Sequence, residues 1–422
     1  MLSGGNPEMR RRWIALGIYL AACLVYFLFA DPAVVHAHTP WNHFALLADS
    51  WRSGRLDLGG PPPAYTGNND FSHVHGKWFV VFPPFPALLL LPILSLVKDP
   101  ARVNDGQFFL WLAGLAPALL FLALEKLRRF GRSELDELGN VGLSLSFAFG
   151  SVYFFCAEQG TVWYAAHIVG AALAAAYLLF ALEAERPWFA GLALGLGFAT
   201  RTPLLFAAPL FVLEAVRTSR ARLRRTLLAF FTPVAAIVVL TLIHNQLRFG
   251  DPFEVGYRFL GIAWQHRIEK WGLFSYHYLG KNLGIVLSGL PFWTPGGRVP
   301  FQINLHGLAL WITTPMYLWL LWPRRTAVPH RALWITVACV ALPTLLYQNT
   351  GWVQFGYRFS NDYAVFLFAL LAIGGYRFGR LFRVLACAAV LINAFGAGTF
   401  GRSQYAAYYF QDNTQRIVYQ PD

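Results

Sequence analysis

The sequence predicts an all-α polytopic membrane protein with about eleven transmembrane helices and two long polar loops on one side. Three observations predict it. The 422 residues are 56% hydrophobic and only 13% charged. Apolar runs long enough to cross a bilayer recur along the whole chain, and a helix in lipid satisfies its own backbone hydrogen bonds. The basic residues gather in short clusters between those runs. With a mean hydropathy of +0.45, the composition excludes an ordinary soluble protein of this length, whose surface needs about a quarter of its residues charged.

The first run, 13–30, follows Arg10-Arg11-Arg12. It is longer than a secretory h-region and no small-x-small site follows it, so it is expected to stay as an uncleaved span. Further spans are expected near 108–124, 139–156, 163–183, 188–200, 203–216, 226–244, 305–322, 332–347, 362–375 and 384–400. Arg201-Thr202-Pro203 marks a turn or kink between two of them. Residues 83–97 are apolar too, but Pro83, Pro84, Pro86 and Pro92 favour a short interfacial or re-entrant helix. With the N-terminus cytoplasmic, more than half of the 34 Lys and Arg fall in the segments 1–12, 125–138, 184–187, 217–225, 323–331 and 376–383. That is the asymmetry of the positive-inside rule. It explains the net charge of +13 without nucleic acid, for which no recognition module is visible. The chain reads as a single membrane domain of a bacterial inner membrane, with outer loops 31–107 and 245–304 and an outer tail 401–422 whose Tyr405, Tyr408 and Tyr409 read as interfacial anchors. Cys23, Cys156, Cys339 and Cys387 all fall in apolar runs and read as small hydrophobes rather than a disulfide framework.

Long loops without a domain of their own are usually functional. The first carries His36, His38, His43, Asp49, Arg52, Asp57, Asp70, His73, His75 and Lys77. A carboxylate beside a membrane-embedded segment suits proton removal from an acceptor hydroxyl, and basic groups there suit a phosphate. Asp70 leads the candidates because it stands among His73, His75 and Lys77; Asp49 is second, with an i, i+3 pairing to Arg52 as its plain alternative. The histidine pairs at i, i+2 leave a divalent cation open, but no metal site is assigned. Arg201, Arg248 and Tyr257 are further candidates, with helix-end and snorkelling roles as alternatives. Arg358 and Asp362 stand at i, i+4 where a span begins, either functional or a structural ion pair. His167 reads as a helix–helix hydrogen-bonding residue.

Several of these stretches resemble motifs of one family. Phe44-Ala-Leu-Leu-Ala48 with Gly54, the proline-bearing run from Gly76 to Leu88, Ala199-Thr-Arg201-Thr-Pro203 and Gln354-Phe-Gly-Tyr-Arg358 are similar, in order and placement, to elements of the GT-C membrane glycosyltransferases. That superfamily includes protein O-mannosyltransferases and aminoarabinose transferases. The resemblance implies a sugar moved from a polyprenyl-phosphate donor to a glycan, lipid or protein acceptor on the extracytoplasmic face, usually with inversion. It implies a first-loop Asp as base, and cations such as Lys77, Arg201 and Arg358 for the departing phosphate. One departure matters. The family's acid precedes the aromatic run, where this chain has Thr39-Pro40-Trp41-Asn42-His43. Asp70, Asp49 or His43 is left to take that role. The rival readings are a transporter or flippase of a lipid-linked saccharide and a member of the fold that has lost catalysis.

Overall fold

The computed structural model describes residues 6–411 apart from 263, 325, 327 and 377. Among them, five helices are long and apolar enough to cross a membrane: Pro7–Phe29, Asp105–Arg129, Val162–Ala184, Arg220–Phe249 and Arg380–Thr399. The chain is a membrane protein, but the expected count of about eleven spans does not hold. Helices Phe85–Val97, Pro187–Phe198, His330–Leu345 and Ala364–Ile373 are 10–17 residues long. At 1.5 Å per residue such helices fall short of a hydrocarbon core about 30 Å thick. The cause lies in local breakers that hydropathy does not register. The expected span 139–156 is cut after Phe149, where Gly150 and Ser151 separate helix Glu137–Phe149 from Tyr153–Ala157. The expected span 305–322 holds only a four-residue α-helix, Leu310–Thr313, and a 3₁₀ stretch from Pro315 to Leu321.

The chain is also not purely helical. Phe71–Val74 and Lys77–Val80 form an antiparallel hairpin, Phe71 opposite Val80. His75 and Gly76 between them both have positive φ, as a two-residue primed turn requires. A second, three-stranded sheet joins Phe292–Trp293, Phe301–Asn304 and Tyr409–Phe410. The tail is therefore tied to the second polar loop as far as residue 411; its remainder, 412–422, lies outside the described residues. Tyr409 is half-buried with its hydroxyl 2.7 Å from Thr399 Oγ1, which ties the tail to the end of helix Arg380–Thr399.

Local chemistry explains the main helices. Asn6 caps Pro7–Phe29 by accepting from Glu8 N at 2.9 Å, and Pro7 occupies the first turn, where no N–H is needed. Its 23 residues span about 35 Å and leave Leu16, Leu20, Leu24 and Leu28 exposed, as a lipid-facing helix must. Val162–Ala181 is the opposite case: it is rich in Ala and Gly and buried over most of its surface, so other helices approach it on several sides. Helix Pro187–Phe198 crosses Leu223–Phe249 through Gly191 and Gly195. A Cβ on Gly191 would stand 2.0 Å from the Phe230 carbonyl oxygen, the close backbone approach that small residues four apart permit. All ten residues of Ala364–Ile373 are buried, so this helix is wrapped by protein rather than lipid.

Both polar loops meet at one place. Ser72 of the hairpin bridges to Leu260 of the 245–304 segment.

Candidate functional site

The site is built around residues 64–70. Gly67, Asn68 and Asp70 have φ of 61°, 56° and 60°. Asn and Asp are the residues other than glycine that best tolerate this left-handed region. The turn is braced from behind. His43, on helix His43–Arg52, places Nε2 2.7 Å from the Asn69 carbonyl oxygen, so that nitrogen carries the proton and donates. Its ring stacks on Phe71 at 4.2 Å and meets Phe82 edge-on. Burial of this fully enclosed imidazole pushes its pKa below the usual 6.5, against the opposing pull of the Asn69 hydrogen bond and the Asp70 charge.

Asp70 is half-buried, and its Oδ2 accepts from the Trp163 indole at 2.7 Å. Trp163 stands in the first turn of Val162–Ala181, and Trp41 packs on it with ring centroids 5.1 Å apart. A cavity of about 410 Å³ opens beside Asp70, between the 64–70 turn with Trp41 and the Gly261-Ile262 edge of the second loop.

A second group of charges lies across a tyrosine pair. Arg201 grips Asp362 with two hydrogen bonds, Nε to Oδ1 at 2.9 Å and Nη2 to Oδ2 at 2.7 Å. Gly170 makes room for this arginine: a Cβ there would lie 2.7 Å from Arg201 Cγ. His167 Nδ1 is 3.6 Å from Asp362 Oδ1, too far for the helix–helix hydrogen bond expected of it. The pairing of Arg358 with Asp362 expected from their i, i+4 spacing does not form. Residues 358–362 are 3₁₀ helix, in which three residues make a turn and positions four apart point away from each other.

Arg358 is left buried, 8% exposed, with no carboxylate within ion-pair distance among the described residues. Its guanidinium lies 5.2 Å from the Tyr164 ring and 5.7 Å from the Phe359 ring, and Arg201 sits 5.2 Å from that same Phe359 ring. Gln354 fixes the backbone here: its Oε1 accepts from Arg358 N at 2.9 Å while its amide nitrogen donates to the carbonyls of His306 and Thr350. Tyr257 and Tyr347, ring centroids 6.5 Å apart, stand between the two groups, near enough to feel the charge of both Asp70 and Arg201. Burial drives the Tyr257 phenol well above its ordinary value; Tyr347 and Asp70 push the same way, and Arg201 opposes them.

The structure thus brings Asp70, Tyr257, Arg201, Arg358 and Asp362 to one region. The other candidates are engaged elsewhere. Asp49 is paired with Arg52 at 2.7 Å, the i, i+3 alternative. Lys77 is exposed and reaches Asp57 at 3.6 Å, and His73 stacks on Trp78 on the exposed side of the hairpin. Arg248 donates to the Val80 carbonyl and lies over Phe249, fastening its helix to the hairpin. Among the described residues no group of His, Cys, Asp and Glu is arranged to hold a metal ion. Sequence reasoning missed Trp163, Tyr347 and the Trp41–Tyr65 wall; Trp163 is 93 residues from Asp70, and no local signal links them.

No protein-family model matches the chain, and no curated protein does. Two solved structures have a similar fold. One is the oligosaccharyltransferase of Archaeoglobus fulgidus in its apo form, with a TM-score of 0.51 and 13% identity over 91% of this chain and 56% of that one. The other is the same organism's oligosaccharyltransferase AglB in complex with an inhibitory peptide and a dolichol-phosphate, with a TM-score of 0.48 and 12% identity over 92% and 56%. The chain spans about half the length of these proteins. Over nine-tenths of its own length, it shares the fold of the archaeal oligosaccharyltransferase crystallised in apo form.

Proposed function

We propose that this chain is a GT-C-type glycosyltransferase that moves a sugar from a polyprenyl-phosphate donor to an acceptor hydroxyl at the face where the two polar loops meet. The observation that carries the proposal is Arg358. A buried guanidinium without a carboxylate partner is costly to maintain, and a phosphate leaving group supplies the missing charge. Arg201, already neutralised by Asp362, holds the Phe359 platform beside it.

Asp70 is the base. Its Oδ2 is held by Trp163, which leaves Oδ1 to take the acceptor proton. As that proton moves to Asp70, the acceptor oxygen forms the new bond to the anomeric carbon. The bond from that carbon to the phosphate oxygen breaks, and its electron pair departs with polyprenyl phosphate. The negative charge that develops on the phosphate is what Arg358 stabilises. The fold likeness supports the same reading, since the similar solved proteins are oligosaccharyltransferases.

The test is transfer by purified protein in lipid nanodiscs, with a panel of polyprenyl-phosphate sugars. Asp70→Asn keeps an oxygen for the Trp163 indole and tolerates the left-handed backbone, so the turn survives. It is expected to lower the transfer rate by about 10²–10⁴-fold. Arg358→Ala is expected to cost about 10²-fold or more. Full activity in both variants overturns the assignment.

A further inference from the structure

The cavity beside Asp70 carries information about the acceptor. Its walls are two aromatic rings, Trp41 and Tyr65, and its floor is the polar turn Asn68-Asn69-Asp70. Among the described residues no Lys, Arg or His lines it, so these offer nothing to the charge of an anionic headgroup. Apart from the two rings, Ile262 is the one large apolar residue that lines it among the described residues, too little to hold a lipid tail. What remains is an amphipathic aromatic surface with groups that both give and take hydrogen bonds. Amide side chains serve a hydroxyl as donor and as acceptor, and a carboxylate accepts. Aromatic faces pack against the apolar C–H face of a ring.

The aromatic walls are held in place. Tyr65 donates to Asn42 Oδ1 at 3.2 Å, and its ring lies 4.6 Å from that of His38. Trp41 rests on Trp163, and its carbonyl accepts from Val162 N at 3.3 Å. The cavity's 410 Å³ falls in the range of small-molecule pockets, and it opens directly onto Asp70.

We infer that this cavity is an acceptor subsite for a neutral saccharide, whose hydroxyl faces Asp70 and whose ring packs on Trp41 and Tyr65. The inference rests on the glycosyltransferase reading, because it names the class of acceptor that reading leaves open.

The experiment measures binding without transfer. Full-length protein in nanodiscs is titrated with methyl glycosides of glucose, galactose, mannose and N-acetylglucosamine, their disaccharides, and a neutral hexapeptide, read by saturation-transfer NMR. At least one saccharide is expected to bind saturably. Its affinity is expected to fall about tenfold in Trp41→Ala and in Tyr65→Ala, the size of a lost stacking contact. Asn68→Gly keeps the left-handed backbone, removes only the amide and is expected to weaken the same saccharide. It therefore remains informative if an aromatic variant fails to fold. Lys77→Ala, outside the cavity, is expected to bind as the parent does. Saccharide binding that Trp41→Ala, Tyr65→Ala and Asn68→Gly all leave unchanged overturns the inference, as does binding of the peptide alone. Saccharide binding in a protein that transfers nothing would leave the subsite standing and remove the enzyme. Transfer to peptide with no saccharide bound would do the reverse.

Discussion

At the scale of single residues, the site depends on side chains whose partners lie far away in sequence. Asp70 was legible as a candidate, because an acid amid His73, His75 and Lys77 before an apolar run suggests reactive chemistry. Its neighbours were misleading, however: His73 and Lys77 are exposed near the tip of the hairpin, and Trp163 supplies the contact instead. His43 braces the turn as a neutral ring, which gives the turn a pH dependence. A depressed pKa in the folded state means that the unfolded segment binds the proton more tightly. Stability is then full above the unfolded value near 6.5 and is lost as pH falls below it. The protection factors of the amides at residues 66–71, which correct exchange for its intrinsic pH dependence, are expected to fall between pH 7 and 5, and His43→Gln is expected to remove most of that change. Protection factors that are flat with pH in the parent protein would show that His43 does not limit the turn. The Arg201–Asp362 pair was not legible, because 161 residues separate its members and the nearer Arg358 offered a tempting spacing. Removing Arg201 alone strands a buried carboxylate, a cost of about 3–5 kcal/mol. Arg201→Met with Asp362→Leu is expected to recover most of that, measured by thermal unfolding in detergent. Equal melting temperatures for Arg201→Met and the parent would contradict this account.

At the scale of elements, hydropathy located most of the apolar segments but could not tell which helices would span. Pro7–Phe29 and Arg380–Thr399 emerge at nearly the expected positions because their exposed leucines and valines need lipid. The 139–156 and 305–322 segments fail because Gly150, Ser151 and Pro315 interrupt the helix while leaving the average hydropathy high. The crossing of Pro187–Phe198 over Leu223–Phe249 depends on two atoms that are absent, the β-carbons of Gly191 and Gly195. Gly191→Ala places a methyl 2.0 Å from the Phe230 carbonyl oxygen, a backbone atom that cannot rotate aside. The variant is expected to lose about 1–3 kcal/mol of stability. Gly142→Ala, inside helix Glu137–Phe149 where a Cβ meets nothing within 4 Å, is the control expected to unfold no earlier than the parent. Identical thermal melts for both variants would mean that the crossing relaxes without cost.

At the scale of the molecule, the proposal requires the loops 31–107 and 245–304 to share one aqueous face. The Ser72–Leu260 bridge and the common cavity bring them together in space, and neither contact could be read from a hydropathy profile. The basic clusters predict which face that is. Arg220, Arg222, Arg224 and Arg225 crowd the start of the helix that ends at Phe249. A helix of 27 residues is about 40 Å long, enough for its two ends to reach opposite sides of a bilayer. Arg248, near the far end, reaches the hairpin of the first loop. The arginine-rich end and the cavity are therefore expected on opposite faces, with the arginines cytoplasmic. Single cysteines at Lys77, Arg298 and Arg220, introduced after Cys23, Cys156, Cys339 and Cys387 are replaced by serine or alanine, test this with a membrane-impermeant maleimide on intact cells. Lys77→Cys and Arg298→Cys are expected to react from outside, and Arg220→Cys only after permeabilisation. Reaction of Lys77→Cys and Arg298→Cys from different sides would separate the two walls of the cavity and leave Asp70 without the compartment in which its acceptor must arrive.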